Sequence, residues 1–103
     1  MIITNAFSLN MLALPVSTAT FRHLTVEEAA ALAAGASSAV GHADTAAVFS
    51  SVLGVTVPMN RATVTLTVGD QALVGQYSGP RLAEGTTTLP EGASIRWVLV
   101  TVG

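Results

Sequence analysis

Three groups of residues in this sequence could do acid–base or anion chemistry: His42, the Arg81 and Glu84 pair, and small polar residues near the start. His42 lies in Gly41-His42-Ala43-Asp44-Thr45, which opens an apolar helical run ending at Leu53-Gly54. At a helix start the first backbone N–H groups lack intrahelical partners, and the positive end of the helix dipole converges on them. That is a ready site for a phosphate, and an imidazole beside it can exchange protons near neutral pH. Arg81 and Glu84, in Arg81-Leu82-Ala83-Glu84-Gly85, admit two readings. They could pair with each other at the surface, which contributes about 0–1 kcal/mol. Alternatively, Arg81 holds a phosphate and Glu84 positions a hydroxyl or the histidine. The stretch Asn5-Ala6-Phe7-Ser8-Leu9-Asn10-Met11-Leu12 is equally open. It is either a turn whose amides and hydroxyl satisfy local backbone, or a strand-end loop lining a pocket.

Other chemistries lack their residues. There is no cysteine, hence no thiolate metal site, catalytic thiol or disulfide framework. His23 and His42 stand 19 residues apart in different elements, without ligand-like spacing, so no metal site is expected. No nucleophile elbow, Walker motif or dinucleotide fingerprint occurs, and the nine glycines are scattered singly. Four arginines, no lysine and six carboxylates give a net charge of −2, which argues against long DNA or RNA as a partner. One small anion held by a few positioned groups remains compatible with that balance. Residues 1–15 are apolar but lack a basic leader and are interrupted by Asn5 and Asn10, so no secretory signal is expected. No apolar run approaches the ~18–20 residues of a membrane span. The expectation is a soluble, cytoplasmic protein.

The elements that must position these groups follow from periodicity. At 103 residues with half of them hydrophobic, one domain with a proper core is expected. Residues 1–4 read as a buried strand and residues 16–24, after Pro15, as a second. His23 in that second strand reads as an exposed or satisfied histidine. Thr25-Val26-Glu27-Glu28 has the capping-box pattern and starts an alanine-rich helix ending at Gly35, with both glutamates as first-turn partners of the dipole. Residues 36–40 read as a linker of small residues. The second helix spans residues 43–53, with Val48, Phe49, Val52 and Leu53 as its apolar stripe and Gly54 as its stop. Residues 61–68 alternate strictly, Gly69-Asp70 marks a turn and residues 71–78 return, so this reads as an antiparallel hairpin. Residues 94–102 alternate again and close the domain. The fold class is α/β of the α+β kind: a mixed five-stranded sheet flanked by helices.

Taken together, the segment from Asn5 to Leu12, the Gly41-His42-Ala43-Asp44-Thr45 helix start and Pro80-Arg81-Leu82-Ala83-Glu84-Gly85 resemble the small viral anti-CRISPR ring nucleases, in order and spacing, over nearly the whole chain. The resemblance implies a homodimer that binds cyclic tetra-adenylate and cleaves it without metal or cofactor, acting in the host cytoplasm if the protein is viral. It implies that His42 is the catalytic residue, acting as general acid, that Arg81 binds phosphate and that Glu84 orients its neighbours. It also implies that Ser8 and Asn10 face the ligand, and that the amides of Asp44 and Thr45 hold phosphate. The chain differs in having no lysine, and in a segment from Gln76 to Arg81 that is one residue longer, with Gly79-Pro80 at the insertion. Two other functions compete: a module that sequesters a cyclic nucleotide without cutting it, and an interaction protein that kept the fold and lost the site.

Overall fold

The computed structural model describes residues 1–13, 15 and 18–103. Its strands are Ile2–Thr4 (β1), Ala19–Leu24 (β2), Ser37–Ser38 (β3), Gln71–Ser78 (β4) and Ser94–Val102 (β5). They form one mixed sheet in the order β2-β5-β4-β1-β3. β1 runs parallel to β3 and β4, whereas β5 is antiparallel to β2 and β4. Four strands therefore point the same way, and the segments leaving their C-terminal ends gather at one end of the sheet. In sheets with parallel strands, that end is where ligand sites form. Residues 16 and 17 of the expected second strand lie outside the described residues; residues 19–24 form β2, and residue 18 precedes it.

The sheet has five strands and is mixed, as the sequence implied, but its membership differs. Residues 61–68 do not pair with β4. β4 sits in the centre with β5 on one edge and β1 on the other, so no edge is left for a hairpin partner. The alternating segment instead crosses the face of the sheet opposite the helices. There Leu66 N–H donates to the Met11 carbonyl at 2.6 Å, and Ala13 N–H donates to the Leu66 carbonyl at 2.9 Å. The expected turn survives: Asp70 accepts Thr67 N–H at 2.8 Å, and Gly69 takes a left-handed φ of 94°. The linker expected at residues 36–40 supplies the missing strand, with Ile2 and Ile3 in register with Ser37 and Ser38.

Two helices cover one face. Val26–Ala33 (α1) begins with the full capping box: Glu28 N–H donates to the Thr25 hydroxyl at 3.1 Å, and Thr25 N–H to the Glu28 carboxylate at 3.0 Å. It ends before Gly35, through Ala34 in ordinary helical geometry. Ala43–Leu53 (α2) matches its expected bounds and is closed by Gly54 at a left-handed φ of 68°. Ala46, Val48, Phe49 and Leu53 are its buried residues, and Val52 packs at the margin. Phe49, Leu53, Ala29 and Ala33 meet Ile3, Leu73 and Trp97 in one core. The opposite face buries Ala72, Val74, Val100 and Val102 beneath Leu66, with Phe7, Met11 and Leu12 packed around them.

The backbone hydrogen bond from Thr25 holds the Glu28 carboxyl below its ordinary value of 4.5, and Arg22, at 3.3 Å, acts in the same direction. A depressed carboxylate contributes stability at neutral pH that is lost as pH falls through its folded-state value. Stability should therefore decline on acidification below about pH 4.5, and Glu28→Gln should flatten that decline in acid-titrated thermal melts. An equally steep acid limb in the variant would assign the loss to other carboxylates.

Candidate active site

The site is built where the N-terminus of α2 meets the C-terminal end of β4. An open cleft of about 490 Å³ is lined by His42, Asp44, Thr45, Tyr77, Gly79, Arg81 and Leu82. His42 is the N-cap of α2, in extended backbone geometry, and its side chain makes no capping hydrogen bond. The Ala43, Asp44 and Thr45 amides of the first turn thus donate no hydrogen bond to the cap side chain, and the imidazole is exposed.

The turn before His42 is fixed from behind by residues 58–61. Asn60 N–H donates to the Val40 carbonyl at 2.8 Å, and Asn60 Nδ2 to the Ser38 carbonyl at 2.8 Å. Arg61 Nε donates to the Gly41 carbonyl at 3.1 Å. On the other side, alternation along β4 puts Tyr77 on the same face as Leu73 and Gly75, towards the helices. The Tyr77 hydroxyl donates to the Pro80 carbonyl. Gly79 is required by close approach, since a Cβ there would lie 2.6 Å from Ala93 Cβ and 2.9 Å from the Tyr77 hydroxyl. The loop of residues 80–85 is joined to α2 by Gly85 N–H, which donates to Asp44 Oδ1 at 3.0 Å.

A family model described as STIV B116-like matches residues 1–94. The chain belongs to the STIV B116-like family. This is the viral family that the three motifs resemble. B116 of Sulfolobus turreted icosahedral virus shares the fold with a TM-score of 0.79, at 29% identity over 97% of each chain. The uncharacterized protein ORF117 of Acidianus two-tailed virus is 48% identical over 48 residues, which are 47% of this chain and 40% of that relative. The chain thus aligns with less than half of the length of that second relative.

Among the residues expected at the site, this family member brings four together in the cleft: His42, Asp44, Thr45 and Arg81. Ser8, Asn10 and Glu84 do not line it. Ser8 caps a short 3-10 helix at Leu9–Met11, its hydroxyl accepting Asn10 N–H at 3.2 Å, in keeping with the turn reading of that stretch. Glu84 is exposed, and the surface pairing considered for Arg81 and Glu84 does not form: among the described residues the salt bridge is Arg22–Glu28. Gln76 is exposed on the face opposite Tyr77, in register with Arg96. Among the described residues, no three His, Asp or Glu side chains cluster as metal ligands. No helix of these residues is long and apolar enough to cross a membrane.

Tyr77, Leu82 and Arg61 were not legible as site residues. Tyr77 had a signal, because a lone aromatic at the end of a buried strand, two residues before Gly79-Pro80, faces whatever the strand end faces. Arg61 had none, because its position depends on a segment whose alternation imitates a strand.

Proposed function

We propose that this protein is a ring nuclease that cleaves cyclic tetra-adenylate into di-adenylates ending in 2′,3′-cyclic phosphates, and so shuts off type III CRISPR signalling. The observation that carries the reading is the meeting of an imidazole, a guanidinium and a first helical turn without a side-chain cap in one open cleft. Family membership and the motif resemblance support it.

The reaction is an internal transesterification that draws on the chain, its substrate and water as the proton acceptor. The ribose 2′-oxygen attacks the adjacent phosphorus as it loses its proton to solvent water, the 2′-O–P bond forms and the P–O5′ bond breaks. His42 donates a proton to the departing 5′-oxygen. Arg81 stabilises the charge that builds on the phosphoryl oxygens, its planar fork matching two of them. The Asp44 and Thr45 amides hold a phosphate in the ground state. Glu84, on the same loop as Arg81, orients its neighbours from outside the cleft, and Ser8 and Asn10 meet more distant parts of the ring. A homodimer with two-fold symmetry gives each of two scissile phosphates its own His42, matching the two-fold character of the cyclic substrate. The absence of lysine leaves little long-range field to steer the anion, so association should depend only weakly on salt.

A single-turnover incubation with cyclic tetra-adenylate in EDTA, read by mass spectrometry, tests the reading. Di-adenylate with a cyclic phosphate is the expected product. Intact ligand with the wild-type protein would overturn it. A rise in melting temperature with intact ligand would then identify a sequestering protein, since ligand at a hundred times its Kd stabilises by ~2.7 kcal/mol.

A further inference from the structure

A carboxylate is an unexpected residue to find lining a site for a polyanion, because like charges in one cleft oppose binding. Asp44 has another engagement. Its Oδ1 accepts Gly85 N–H at 3.0 Å, across 41 residues of sequence. Gly85 takes a left-handed φ of 84°, and a Cβ there would meet nothing within 4 Å, so the glycine serves the backbone conformation and not close packing. At the other end of the same loop, the Pro80 carbonyl accepts the Tyr77 hydroxyl. Just past Gly85, Thr86 braces the loop, its N–H and hydroxyl both donating to the Ala83 carbonyl, at 3.0 and 2.6 Å. Arg81 lies inside the bracketed segment, exposed and without a carboxylate partner among the described residues.

We infer that Asp44 is a positioning residue, a latch that fixes the loop of residues 80–85 against the first turn of α2 and so sets where Arg81 stands relative to His42. The inference rests on the proposed role of Arg81 in binding phosphate. The latch uses the carboxylate as a hydrogen-bond acceptor, and its charge is incidental. An amide can accept the same hydrogen bond. The latch also occupies the carboxylate on the loop side, which leaves the amides of the first turn to face the ligand.

Asp44→Ala and Asp44→Asn separate acceptor from charge, with two readouts on the whole chain. The first is amide hydrogen exchange of Gly85 without nucleotide. Protection should fall about tenfold or more in Asp44→Ala and be retained in Asp44→Asn, as expected for loss or retention of one hydrogen bond. The second is the Kd for cyclic tetra-adenylate, measured with His42→Ala also present so that turnover does not intervene. Asp44→Ala should weaken binding by roughly tenfold. Asp44→Asn should rescue it to the parent value or tighter, because a like charge has gone. Wild-type exchange at Gly85 in Asp44→Ala would overturn the latch whatever the nucleotide data. Equal weakening by Ala and Asn would overturn it too, by showing that the charge is what matters. If the parent protein does not bind the nucleotide at all, the phosphate role of Arg81 falls with the proposed function, and the exchange arm alone decides whether Asp44 holds the loop.

Discussion

His42→Ala should slow single-turnover cleavage of cyclic tetra-adenylate by roughly 10²–10⁴-fold, the usual contribution of a positioned proton donor. Ligand binding should weaken far less, because the first-turn amides and Arg81 remain where they are. The fold gives this variant an unusually clean interpretation. The imidazole is exposed and makes no capping hydrogen bond, so its removal takes no structural interaction from α2. Melting temperature should stay within the range of an ordinary surface substitution, about ±0.5 kcal/mol in stability. Loss of cleavage with unchanged melting and near-unchanged Kd would assign His42 to the chemical step. Cleavage retained within threefold or so would remove it from that role and move attention to a proton carried by water. His42→Gln separates the two further: an amide can donate a hydrogen bond but does not exchange protons at neutral pH, so it should not rescue the rate.

The helix start of the candidate site was legible in the sequence, because its signals are local. A helix start depends on a few consecutive residues, and α2 has the bounds its sequence implied, from Ala43 to Leu53, with Gly54 as its left-handed stop. The capping box at Thr25 and Glu28 is local in the same sense. The sheet was legible only in kind, because strand partners are chosen by competition among edges. Residues 61–68 have the alternation of a half-buried strand, and Leu66 is indeed buried, but β5 pairs with β4 over eight register positions and occupies that edge. Conversely, Ser37 and Ser38 carry little β propensity, and they pair because β1 presents an open edge beside them. The site divides along the same line. His42 and Arg81 stand out by type, whereas the partner of the Asp44 carboxylate lies across a turn that no sequence spacing reveals.

Phe49→Ala should be the most destabilising single truncation in the helix-side core, by about 3–5 kcal/mol. Phe49 is fully buried, and its ring meets Trp97 edge to face with centroids 4.8 Å apart. Both rings press on β4 at Gly75. A Cβ on that glycine would lie 2.5 Å from Trp97 Cζ3 and 2.7 Å from Phe49 Cζ. Gly75 beneath the ring has no side chain to fill the space that Phe49 leaves, so the cavity term should approach its upper range. A domain of this size has about 5–15 kcal/mol in total, so the melting temperature should fall by about 12 °C or more, at about 4 °C or more per kcal/mol. Gly75→Ala should also destabilise, by about 1–3 kcal/mol, but for the opposite reason, overpacking. The two changes occupy the same space, which makes their combination informative. In the double variant the new methyl group enters the void left by Phe49, so the pair should be more stable than the sum of its singles by about 0.5–3 kcal/mol. Additivity to within about 0.3–0.5 kcal/mol in denaturant titrations would mean that the ring does not sit over Gly75. Non-additivity would show that α2, the helix presenting His42, is seated on the sheet by an aromatic pair that only a bare backbone can receive.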